Sequence, residues 1–331
     1  MDNKRDSSDV VAPRDEDSQT PARGARIRVG TASWTDHEPF YPDEYNKASM
    51  KAQRISYYAR YFSLVEVDST FYSLQPMRNF QMWAERTPED FIFDVKAYGE
   101  LTWHHRDEQG QPQTPHADTF ARFSEMIHPL RERQKLGAIL FQFAPWYTFS
   151  DDRLEYFETI REALPNDTIA VEFRHRSWLD AKNVASVKAA LSEQRLAYCA
   201  VDEPQIGSGS VPPVVLLTDP HFSMARFHGR NTHTWYGKGL SSSRDRFDYL
   251  YTRDELAPWA ERAKHIAAQL QGSELHIIMN NNASNYGIVN AFDMQELLGQ
   301  PVGLGQPLPP GVIATQQARE EQASASRDDA E

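Results

Sequence analysis

The sequence predicts an α/β fold, a single closed (β/α)8 barrel of the TIM type with unstructured polar tails. Three observations carry this. Short apolar, β-like runs alternate with longer helix-period stretches through residues 26–311. There are eight such runs, the number a closed barrel needs. Each of the eight carries a polar side chain near its end. An open doubly wound sheet is the competing arrangement, but Gly30-Thr31-Ala32-Ser33-Trp34 after the first run lacks the glycine spacing of a phosphate-binding loop.

Taken in order, Ile27–Ser33 is the first strand, followed by a helical stretch over Lys51–Phe62 in which Ile55, Tyr58, Ala59 and Phe62 share a face. Leu64–Ser69 and Phe91–Ala97 are the next strands, and Thr119–Arg133 reads as helix. Ala138–Phe143 leads to helix Leu154–Leu164, and Thr168–Phe173 to helix Ala181–Gln194. Leu196–Asp202 and Ser223–His228 are strands joined by a long connection. Helix Arg253–Leu270 precedes strand Leu275–Asn280 and a last helix over Ala291–Leu298. Pro258 is expected in the first turn of its helix, where a missing amide hydrogen costs least. Near-continuous apolar strands are what helices covering a parallel sheet require.

Residues 1–25 and 312–331 are polar, charged and without hydrophobic periodicity, so disorder is expected there and residues 26–311 form one domain. The 331-residue chain carries a net charge of −12, which argues against an extensive nucleic-acid-binding surface. Its single cysteine, Cys199, lies in an apolar strand and reads as a buried thiol. No apolar run reaches the length of a membrane span and residues 1–25 are not signal-like, so a soluble cytoplasmic protein without a membrane partner is expected.

In a parallel barrel all strands deliver their carboxyl ends to one face, where active sites form. Here those ends bring Trp34, Glu66, Asp68, Lys96, Gln142, Glu172, Arg174, His175, Asp202, Arg226, His228, Arg230 and the run Asn280-Asn281-Asn282. Alternation puts Glu66 with Asp68, Glu172 with Arg174, and Arg226 with His228 on common faces, while Val65, Val67, Val171, Phe173 and Phe227 face the helices. Carboxylates and cations at this density need mutual compensation. Each also has a structural reading: ion pairs that close the barrel, a cap for Asp202, or a turn for the asparagines.

The stretches Val29–Trp34, Val65-Glu66-Val67-Asp68-Ser69-Thr70-Phe71-Tyr72, Leu140-Phe141-Gln142-Phe143-Ala144-Pro145, Glu172-Phe173-Arg174-His175 with Ser177-Trp178, and Arg226 with His228-Gly229-Arg230 together resemble the DUF72 (YecE-like) family of uncharacterised barrel proteins. The resemblance runs through nearly all of residues 27–298. It implies a β/α barrel related to xylose-isomerase-like and endonuclease-like barrels, and supplies no reaction. The chain departs from the family pattern at Asp68, where Asn is usual, at Arg176, where Pro is usual, and at Ser33, where a Gly-Trp pair is usual.

The leading functional expectation is an enzyme hydrolysing a small phosphorylated or polyhydroxylated ligand. Lys96, Arg174, Arg226 and Arg230 would hold its anionic group. Glu66 and Glu172 would divide acid and base work, with His175 or His228 as further proton carriers and Asp202 beside them. Trp34, Tyr72 and Trp178 would stack on the ligand or exclude water, Gln142 and Asn281 would orient it, and Asp68 would alter its charge preference or add a metal ligand. Glu172→Gln is then expected to abolish turnover and spare folding. Two rival readings stand beside this one. One is non-catalytic binding of a nucleotide or single-stranded nucleic acid. The other is a metal-dependent isomerase or nuclease, with Mn or Zn held by Glu66, Glu172, Asp202 and His228. No ligand spacing demands a cofactor, and the oligomeric state is not legible.

Overall fold

The computed structural model describes residues 24–207, 209–235, 237, 243–272 and 274–328. Eight parallel strands close a barrel in sequence order: β1 (Arg26–Ala32), β2 (Leu64–Val67), β3 (Ile92–Lys96), β4 (Leu136–Gln142), β5 (Thr168–Glu172), β6 (Ala197–Asp202), β7 (Phe222–Phe227) and β8 (Glu274–Met279). Around them lie α1 (Asp43–Asn46), α2 (Arg54–Tyr58), α3 (Met77–Glu85), α4 (Ala117–Met126), α5 (His128–Glu132), α6 (Glu155–Ala163), α7 (Val184–Glu193), α8 (Arg253–Gln269), α9 (Tyr286–Leu297) and α10 (Pro310–Asp328). Among the described residues no α-helix joins β6 to β7.

Local chemistry accounts for the element ends. Thr252 and Glu255 form a reciprocal capping box that starts α8. Because the helix therefore begins at Arg253, Pro258 sits in its second turn, not the first as expected from the sequence. The expected helix over Thr119–Arg133 is divided into α4 and α5, with Pro129 in the opening turn of α5. Gly30 lets β1 approach β2, since a Cβ there would lie 2.2 Å from the Leu64 carbonyl oxygen.

Helix α10, Pro310–Asp328, runs through residues 312–328, where the sequence suggests disorder. Val312 is buried, Thr315 Oγ1 donates to Asn285 Oδ1 at 3.0 Å, and Arg319 grips Asp293 at 2.6 and 3.1 Å. These few anchors dock α10 beside α9 despite its polar composition, which is why a compositional reading misses it. Of the N-terminal tail only Gly24 and Ala25 are described, and Ala25 N donates to Ala267 O at 2.9 Å.

The apolar residues separate by strand parity. Val65, Val67, Val171, Phe173 and Phe227 belong to the large cluster between sheet and helices. Ala138, Leu140, Ala170, Ala197, Cys199 and Met224 form a second cluster, on the face shared with Gln142, Glu172 and Arg226. That cluster fills the barrel axis beneath the mouth. At the opposite end the axis is closed by a charged plug. The buried His276 ring bonds Asp94 at 2.9 Å and Glu274 at 2.9 Å, and Arg28 donates to Glu274 at 2.7 Å. Gly137 leaves room for this plug, because a Cβ there would sit 2.4 Å from Asp94 Oδ1.

Candidate active site at the barrel mouth

The inward residues at the ends of β2, β5 and β7 build a locked floor. Arg226 donates to Glu66 at 2.9 and 2.6 Å and to Glu172 Oε2 at 2.6 Å. The other oxygen of Glu172 accepts from Gln142 Nε2 at 2.6 Å, from His228 at 3.0 Å and from Arg174 at 3.3 Å. Asn280 Nδ2 meets His228 Nδ1 at 2.8 Å, an arrangement that fixes the His228 proton on Nε2. Burial pushes His228 down to about 4, so it is a neutral donor near pH 7. Burial would raise Glu172, but Arg226, His228 and Arg174 hold it well below the usual carboxylate range. For Glu66, burial outweighs Arg226 and its carboxyl is raised. Glu66, Glu172 and Arg226 are all buried, so this is a compensated charge cluster rather than an open set of acids and bases.

Above the floor opens a cavity of roughly 640 Å³. Asp68, Lys96 and Arg174 present its charged groups together with Asp36 and Arg246, and Gln142, Asn280 and Asn282 add amides. Arg174 is held in place by Glu172, by Glu203 at 3.6 Å and by the face of Trp235 at 5.0 Å. Lys96 Nζ stands 4.4 Å from the centroid of the Phe71 ring. Among the described residues it has no hydrogen-bond acceptor. Burial lowers Lys96 to about 8, with Arg226 adding to the effect, while Glu66 and Asp68 oppose it. Burial raises the Asp68 carboxyl, and Lys96 limits that rise. Burial, with the nearby Lys96 and Arg174, pushes His104 down to about 3, leaving a neutral ring on the wall.

The cavity wall is aromatic. Trp34 packs edge-on to Trp83 at 5.0 Å, and Phe71 to His104 at 4.7 Å. At the rim Tyr72 is 72% exposed and Trp146 38% exposed, with the Arg106 guanidinium 4.1 Å from the Trp146 ring.

Of the residues singled out from sequence, Trp34, Asp68, Tyr72, Lys96, Gln142, Arg174 and Arg226 line the cavity. Glu66, Glu172 and His228 lie in the floor beneath it. The rest are elsewhere. Asp202 shares the parity of the outward Tyr198 and Ala200, and accepts from Arg230 at 2.8 and 2.7 Å, Tyr251 at 2.7 Å and Trp259 at 2.9 Å. Arg230 is thereby committed to Asp202 and Glu255 instead of facing the cavity. His175 caps the short helix Arg176–Leu179, its Nδ1 accepting from Ser177 N at 3.2 Å. Trp178 is fully buried, stacked on Phe173 at 4.4 Å, with its indole N–H donating to Tyr147 O at 2.6 Å. Asn281 donates to Tyr249 O and Asn290, and its neighbour Asn280 reaches the cavity instead.

The metal set read from sequence does not assemble. Arg226 occupies Glu66 and one oxygen of Glu172, while Asp202 is turned to the outer layer. Among the described residues no three His, Cys, Asp or Glu side chains converge as metal ligands. Asp36, His104, Trp146, Arg246 and Phe247 line the cavity without having been assigned to it from the sequence, because all lie outside the strands, the last two in the short 3-10 helix Ser243–Phe247.

The pattern described as "Protein of unknown function DUF72" matches residues 28–312. The chain belongs to the DUF72 family. It is 34% identical over 274 residues to the UPF0759 protein YunF of Bacillus subtilis, covering 82% of this chain and 94% of that protein. A crystal structure of a DUF72 family protein from Enterococcus faecalis superposes with a TM-score of 0.72 at 28% identity, covering 82% of this chain and 95% of that one. A DUF72 family protein from Thermotoga maritima gives 0.70 at 29% identity, covering 83% of this chain and 100% of the other. The barrel expected from the strand pattern is thus the barrel of the family. Among the described residues no helix is long and apolar enough to cross a membrane.

Proposed function

We propose that this DUF72 barrel is an enzyme that hydrolyses a small phosphorylated or polyhydroxylated ligand in the mouth cavity, with Lys96 and Asp68 as its proton-transferring pair. The observation that carries the reading is that these two groups face the cavity with titration displaced toward neutrality from opposite sides. Asp68 protonates the leaving oxygen, and Lys96, as free amine, takes a proton from the attacking water. Arg174, pre-oriented by Glu172, Glu203 and Trp235, binds the anionic group. Gln142 and Asn280 offer amides to hydroxyls, and Tyr72 and Trp146 cover the ligand's flat or apolar faces. Glu66, Glu172 and His228 act as the scaffold that holds Arg226 and Arg174 in place.

The test is turnover of a panel of phosphoesters and glycosides by wild type, Lys96→Met and Asp68→Asn. Loss of about a hundredfold or more in both variants, with unfolding unchanged, supports the reading. Wild-type rates in both variants remove it. A second reading, non-catalytic binding of a nucleotide or single-stranded nucleic acid, is favoured by the Tyr72 and Trp146 rim with Arg106 stacked on it. It predicts tight binding that falls steeply with salt, without turnover.

A further inference from the structure

Two lysines of this barrel lie off its open surface, Lys135 buried and Lys96 half-buried, and their amines are bonded differently. Lys135 is a committed ammonium: its Nζ donates to Ala84 O at 2.7 Å, Thr87 O at 2.7 Å and Thr87 Oγ1 at 2.9 Å. All three of its protons are therefore placed. Lys96, the last residue of β3, has no such acceptors among the described residues and points its amine along the Phe71 ring into the cavity. A half-buried amine without protein acceptors is less well stabilised as an ammonium, and the uncharged form is the nucleophilic one. The half-buried carboxyl of Asp68 lines the same cavity and interacts electrostatically with this amine. Arg174 supplies a fixed cation within the same space.

We propose that Lys96 is a covalent nucleophile, its amine condensing with the carbonyl carbon of a small anionic aldehyde or ketone bound in the mouth. This rests on the reading of the cavity as the active site; toward a ligand that presents a carbonyl, Lys96 acts as nucleophile in place of its role as base toward water. The Nζ lone pair forms the C–N bond as an amine proton passes to the carbonyl oxygen, giving a carbinolamine. The Asp68 carboxyl then protonates the hydroxyl, the C–O bond breaks and water leaves. The product is an iminium, with the Asp68 carboxylate as its counter-ion. Atoms and charge balance without a further reactant. The displaced titration of both groups agrees with these roles: Lys96 lowered to about 8 by burial and Asp68 raised by burial.

The test uses the full chain with glycolaldehyde phosphate and cyanoborohydride, which reduces an imine to a stable secondary amine located by peptide mass spectrometry. The expected result is one adduct per chain at Lys96, formed about tenfold or more faster than at any other lysine near pH 7.5. Glycolaldehyde without the phosphate should label Lys96 more slowly, and Asp68→Asn should slow labelling by about a hundredfold through loss of the acid. Lys96→Arg keeps the charge and should abolish the adduct. Labelling scattered over surface lysines, or none at Lys96, overturns the proposal. Calorimetry with glycerol 3-phosphate, which lacks a carbonyl, separates the failures. Binding without labelling removes the imine and leaves the anion site, whereas neither binding nor labelling removes both.

Discussion

Arg226 donates to both oxygens of Glu66, at 2.9 and 2.6 Å, across 160 residues of sequence, and so ties β7 to β2 through the barrel axis. Its remaining bond, to Glu172, brings β5 into the same cluster. Arg226→Met would leave two buried carboxylates without their main counter-charge. The expected loss is about 3–5 kcal/mol in urea unfolding, since breaking a buried pair from one side exposes the full desolvation cost. Combining it with Glu66→Gln should recover part of that loss.

Glu172 carries four hydrogen-bond donors on its two oxygens. Glu172→Gln replaces one acceptor oxygen by a donor that faces Arg226, Gln142 or His228. The variant is therefore expected to unfold about 2–4 kcal/mol more easily as well as to lose turnover. This revises the sequence-based expectation that folding would be spared. Thermal unfolding of the variant beside wild type decides the point.

The plug at the far end of the barrel sets a pH window. Burial opposes charge on His276, but Asp94 and Glu274 overcome it and raise the imidazole to about 9. A folded-state pKa above the unfolded value stabilises the protein fully below about pH 6.5, and that stability is lost as pH rises toward 9. Between pH 6.5 and 8 the expected loss is about 2 kcal/mol, and His276→Gln should flatten the slope over that interval. Urea midpoints at the two pH values measure it.

The barrel was legible because eight apolar runs and their polar ends are local features of the chain. Part of the site is legible by the same rule of alternation, which also places Asp202 and Asn281 outside the cavity. Cys199 faces the axis, so Asp202, three positions later, faces the helices. Ile278 faces the axis, so Asn280 reaches the cavity and Asn281 does not. Arg230 has inward parity, but Gly229 at φ 86° turns the chain before it, and parity fails beyond the strand. His104 and Trp146 reach the cavity from loops and Arg246 from a short 3-10 helix within a connection, and the path of such segments depends on tertiary packing that no period in the sequence records.

Lys96 is an amine poised near neutrality above a floor of locked charges. The most direct measurement is the pH titration of the Lys96 side-chain carbon next to Nζ by NMR, with the resonance assigned from Lys96→Arg. The expected midpoint is about 8, well below that of the surface lysines. A midpoint in the ordinary lysine range, about 10.4, would contradict it.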